Sequence, residues 1–99
     1  MNAIHYKATL EHMLGVKLKR CRIGAGSMRQ YIKISIAAPF AFTGEHSADN
    51  RARHEWIAER VGFAPFYTSR EYMSTGDFCA CLSIGAIKMP AENYAEVLA

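Results

Sequence analysis

The sequence predicts an α+β fold: one domain over residues 1–99 in the order αββαββ(α), with a four-stranded antiparallel sheet packed against helices on one face. Three observations carry this expectation. Two segments space their apolar residues at the helical period, and the runs after them alternate at period two. The two halves also share one grammar of helix, glycine stop, strand, turn and strand, ending Ile34-Ser35-Ile36 in the first half and Leu82-Ser83-Ile84 in the second.

Residues 3–14 place Ala3, Tyr6, Leu10, Met13 and Leu14 on one helical face, with Asn2 as the expected cap and Gly15 as the stop. Residues 16–36 then read as a hairpin turning at Gly24-Ala25-Gly26-Ser27, where glycines can take the positive φ of a tight reversal. Its second strand sets Met28, Gln30, Ile32, Ile34 and Ile36 against Arg29, Tyr31, Lys33 and Ser35, so the isoleucine face should be buried. The first strand alternates poorly: Val16 and Leu18 share one face and Cys21 and Ile23 the other, which predicts a bulge near Lys19 or Arg20.

Residues 37–47, with Pro39, Gly44 and two phenylalanines, read as a loop leading to an N-cap at Ser47. The second helix runs from Ala48 to Val61 with an apolar stripe of Ala48, Ala52, Trp56, Ile57 and Val61, and Gly62 stops it. A second hairpin turns at Met73-Ser74-Thr75-Gly76 and carries Phe78, Ala80, Leu82 and Ile84 on one face of its last strand. A short helix from Pro90 to Leu98 closes the chain. Trp56, Phe63, Phe66 and Phe78 are the aromatic residues expected in the core.

A chain that is 51% hydrophobic and 21% charged belongs to the globular class rather than the disordered one. No apolar run approaches the roughly 20 residues of a membrane span, and the first residues lack the basic-then-apolar order of a secretory signal. The expectation is a cytoplasmic protein without a membrane partner, a monomer or small homo-oligomer. Three cysteines are an odd number, and reduced thiols are the simplest reading.

The net charge of +3 matters less than its distribution. Lys17, Lys19, Arg20, Arg22, Arg29 and Lys33 are six of the twelve Lys and Arg, and residues 16–36 contain no Asp or Glu. Charge gathered on one hairpin marks a surface for an acidic partner, because core-facing positions would bury it at high cost. With Tyr31 beside them, these residues would form a basic open sheet face, and Phe40 and Phe42 on the loop would add an exposed apolar contact patch. The competing reading is that the same charges only solubilise an edge hairpin.

Other constellations carry less. Gly24-Ala25-Gly26-Ser27 lacks the Gly-Lys-Ser/Thr ending of a P-loop and does not open a helix. Cys79 and Cys81 form a single C-x-C pair, which does not match a structural zinc pattern, and no context activates either thiol toward His54. His46, Asp49, Arg51, Arg53, His54 and Glu55 read as a solvated helix face with local ion pairs. No catalytic residue, metal or cofactor is assigned, and the chain is not expected to be an enzyme.

The segment Arg22-Ile23-Gly24-Ala25-Gly26-Ser27-Met28-Arg29, followed by an alternating strand, a helix and a second hairpin, resembles the polyvalent-protein-associated domains of phage and conjugative-element proteins. It is similar also to the compact accessory proteins of such elements, among which anti-CRISPR inhibitors are prominent. The resemblance transfers no functional residue. It implies a non-enzymatic binding protein that inhibits or modulates a bacterial protein or ribonucleoprotein complex. The alternative is a module that binds RNA or DNA on the basic face of the first hairpin.

Overall fold

The computed structural model describes residues 3–26, 30–71 and 76–88. Helix α1 spans Ala3–Leu14 and buries Tyr6, Thr9, Leu10 and Leu14. It stops at Gly15, whose φ of +73° favours glycine and whose N–H donates to the Glu11 carbonyl at 2.9 Å. The Glu11 carboxylate also accepts from the Leu18 N–H at 2.8 Å, which ties down the link into the sheet.

Strands β1 (Arg20–Ala25) and β2 (Gln30–Ala37) pair antiparallel in unbroken register from Arg20↔Ser35 to Ala25↔Gln30. The expected bulge near Lys19 or Arg20 is therefore absent. Residues 16–19 are a link rather than a strand, so their alternation has no sheet face to obey; Leu18 drops into the core and the Lys19 N–H donates to the Ser35 carbonyl at 2.7 Å. Gly24 is likewise a strand residue rather than a turn residue. Its cross-strand partner Tyr31 lays its ring over the position a Cβ would occupy, so the missing side chain makes room for an aromatic.

Helix α2 spans His46–Val61 and is capped by Glu45 rather than Ser47: the Glu45 carboxylate accepts from the Ser47 N–H at 3.1 Å and the Ala48 N–H at 2.7 Å. Gly62, at φ +91°, ends it as expected. Strands β3 (Tyr67–Arg70) and β4 (Asp77–Ser83) form the second hairpin, and Ile84 leaves the sheet in a 3-10 turn over Ile84–Ala86 instead of extending β4.

The sheet order is β1-β2-β4-β3, antiparallel throughout, so the second strand of each half lies in the middle and the two first strands are edges. Ile32, Ile34 and Ile36 of β2 meet Phe78, Ala80 and Leu82 of β4 across the centre, all fully buried beneath the helices. Each large side chain among them contributes about 1.5–3 kcal/mol by leaving water. The expected αββαββ order, with its antiparallel sheet, is thus present. The cap at Asn2, Arg29, the turn residues 73–75 and the helix expected over residues 90–98 lie outside the described residues. Among the described residues, no helix is long and apolar enough to cross a membrane.

Three burial patterns differ from expectation. Phe66 is 46% exposed rather than core. Helix α2 buries Asp49, Arg53 and Ile57, a stripe that runs through its charged residues instead of along Ala48 and Ala52. On the sheet face away from the helices, Ser35, Cys79 and Cys81 are buried, so that face is exposed only at its rim.

Candidate binding surfaces

The basic residues of the first hairpin separate into groups. Arg20 and Arg22 of β1 alternate onto the face opposite the helices and are exposed, and Lys33, paired in register with Arg22, is half-buried beside them. Together with Ser35 and Glu71 they line a depression of about 140 Å³. Glu71 is the acid in its wall. The depression can hold a carboxylate or phosphate oxygen against two guanidinium groups and an ammonium.

Lys19 is committed elsewhere. Its ammonium bonds both oxygens of Asp77, at 2.9 and 2.7 Å, and so clips the start of β1 to the start of β4. Lys17 lies in the exposed link and borders a shallow groove with Glu11 and His12 rather than the hairpin depression.

Tyr31 is half-buried, with its ring over Gly24 and edge-on to Phe66 at 5.9 Å. Tyr67, 51% exposed, shares a cross-strand row with Arg22, Lys33 and Cys81. Among the described residues, the exposed aromatic surface is therefore Phe66 and Tyr67. Phe40 and Phe42, expected to form it, turn inward: Phe40 packs on Phe78 at 5.9 Å and Trp56 at 6.5 Å, and Phe42 on Phe78 at 6.3 Å. A loop anchored at both ends beside an aromatic core gains more by burying its rings than by displaying them.

The cysteines and histidines do not converge. Cys79 and Cys81 lie on the sheet face away from the helices, with the Cys79 thiol 2.9 Å from the Ser69 hydroxyl, while His54 sits on α2 on the other side of the sheet. Burial pushes the Cys21 thiol up to about 11 and raises that of Cys81, which keeps both protonated at neutral pH. Among the described residues, no three His, Cys, Asp or Glu side chains are placed to hold a metal ion.

Sequence reasoning placed the α2 polar cluster in solvent, yet Asp49 is 4% and Arg53 2% exposed. Asp49 ties the loop to the helix, accepting from the Thr43 N–H and hydroxyl at 2.8 Å each and from the Gly44 N–H at 3.0 Å. These bonds, that from the Thr43 N–H foremost, hold its carboxyl below the ordinary value of 3.8. Arg53 donates from Nε to the Thr68 hydroxyl at 3.0 Å and from Nη2 to the Asn50 side-chain carbonyl at 3.3 Å, with its guanidinium 5.8 Å from the Phe42 ring centre. The signal available in the sequence was the i, i+4 series Asp49, Arg53, Ile57, a stripe of charges in line with a core residue.

Comparison with protein-family models, with curated proteins and with solved structures returned no match.

Proposed function

We propose that the protein is a non-enzymatic binding protein that docks on an acidic surface through Arg20, Arg22 and Lys33 of the β1–β2 hairpin. The observation that carries this reading is the depression these three side chains form around Ser35, where positive charge is gathered without a matching number of acids. The resemblance to accessory proteins of phages and mobile elements suggests the target, a bacterial protein or ribonucleoprotein complex whose action the docked protein inhibits or modulates, an anti-CRISPR role being the concrete form. RNA or DNA is the second reading, favoured by the exposed rings of Phe66 and Tyr67 on the same side as Arg22 and Lys33.

A pull-down from bacterial lysate with and without nuclease, comparing wild type with the variant Arg20→Ala, Arg22→Ala, Lys33→Ala, separates these readings. A defined protein complex kept after nuclease and lost in the folded variant supports docking on protein. Capture of nuclease-sensitive nucleic acid alone, with affinity falling steeply as salt rises, supports the second reading. Equal capture by wild type and variant rejects both.

A further inference from the structure

The two edges of the sheet are closed to different degrees. At the β3 edge, side chains of α2 lie against the strand: Thr68 is 5% exposed and its hydroxyl is bonded to Arg53 and Asn50. At the β1 edge, among the described residues, the main-chain bonds of the strand run to β2 alone, and none of its six residues is buried. An open strand edge is a row of N–H and C=O groups without partners in the sheet, ready to pair with another chain.

The side chains of β1 form two stripes. Arg20 and Arg22 stand on the face away from the helices, beside Lys33, and among the described residues none of the three has an ion-pair partner. Cys21 and Ile23 stand on the helix face, where Ile23 is 36% exposed although Ile32 opposite it is fully buried. A strand laid along β1 would set alternate residues beside each stripe, which calls for carboxylates next to the arginines and apolar side chains next to Ile23. A second copy of β1 does not meet that demand, because continuing the sheet antiparallel would gather the arginines of both copies on one face. The charges that deter self-pairing thus select an acidic strand.

We propose that β1 takes an extended acidic segment of a partner protein as an added strand, with the segment's carboxylates on Arg20 and Arg22 and its alternate apolar residues on Ile23. This rests on the docking reading above and says how the acidic partner is held. Main-chain pairing along the edge supplies affinity that does not depend on sequence, and the two stripes supply the choice of sequence. Lys33 and the depression beside it extend the positive field inward from the edge, where a long glutamate side chain meets it.

The test is a titration, followed by fluorescence anisotropy, of the labelled peptide Glu-Val-Glu-Val-Glu-Val-Glu with capped ends. Its controls are the permuted peptide Glu-Glu-Val-Val-Val-Glu-Glu, of equal composition and charge, and two N-methylated forms of the alternating peptide, one methylated on the valine nitrogens and one on the glutamate nitrogens. Because successive N–H groups of a strand point to opposite edges, one methylated form should lose binding and the other keep it. The permuted peptide and the variant Arg20→Ala, Arg22→Ala, Lys33→Ala should each weaken binding by about tenfold or more, the scale of one charge-assisted hydrogen bond. Amide exchange of the wild type should slow in β1 when the alternating peptide binds and stay unchanged in β3. Strand addition is overturned if the alternating peptide does not bind, if the permuted peptide binds equally, if both methylated forms behave alike, or if the variant binds as wild type does. The docking reading is judged separately by the lysate pull-down: a target lost in the variant there, with any of these failures here, leaves that reading standing and removes only strand addition.

Discussion

At the β1 edge of the sheet, Arg20 and Arg22 stand exposed over a shallow depression, whereas at the β3 edge Arg53 lies 2% exposed beneath a helix and bonds to Thr68 and Asn50. The first edge keeps its charges hydrated, so they cost the fold little and remain free to meet a partner. The second edge has taken a guanidinium out of water, and the charge of Asp49 together with the neutral oxygens of Thr68 and Asn50 offsets part of the lost hydration. Arginine therefore does different work at the two edges of one sheet. At β1 it should govern binding with little effect on stability, and at β3 it should govern stability.

The sharpest way to break this contrast is to compare Thr68→Val with Arg22→Ala by urea denaturation. Thr68→Val keeps the shape of the side chain but strips the acceptor from Arg53 Nε, and should cost about 1.5–3 kcal/mol, the scale of a hydrogen bond to a charged group. Arg22→Ala should stay within about 0.5 kcal/mol, as surface changes do. Equal losses would mean that the two edges are not different in kind.

Acid sharpens the comparison from the side of α2. The Asp49 carboxyl is held below its ordinary value in the folded state, so its contribution to stability is complete above about 3.8 and disappears as pH falls through the lower folded value. Asp49→Asn should be less stable than wild type at neutral pH, with the gap closing on acidification through that window. A gap independent of pH would show that the Asp49 bonds do not depend on its charge.

The smallest effect belongs to Lys19→Ala at the β1 side. The Lys19 side chain is 54% exposed, and an ion pair so hydrated contributes between about 0 and 1 kcal/mol, declining with added salt. A larger, salt-independent loss would place the clip to Asp77 among the structural bonds of the fold rather than on its surface.

Much of the architecture was legible because its causes are local. The helical spacing of Tyr6, Leu10 and Leu14, the alternation through Ile32, Ile34 and Ile36, and the stops at Gly15 and Gly62 depend on residues a few positions apart and on what φ each can adopt. The failures were non-local. Residues 16–19 imitated a strand because alternation was counted past the point where a partner strand exists. Phe40 and Phe42 appeared exposed because a loop sequence does not say which core it passes, and Phe66 appeared buried because hydrophobicity does not say which side of an edge strand it will meet.

The candidate surfaces divide along the same line. That six basic residues cluster in one hairpin segment is a property of the sequence itself, and so is the face that Arg20, Arg22 and Lys33 share once β1 and β2 pair. Only tertiary structure decided that Lys19 would be taken by Asp77, 58 residues away, and that α2 would turn Asp49 and Arg53 toward the sheet. Periodicity gives the angular spacing of side chains around a helix but leaves open its rotation about its own axis. That rotation is set by what packs against it, here Phe42, Thr68 and the aromatic cluster around Phe78, which are brought together only when the chain closes.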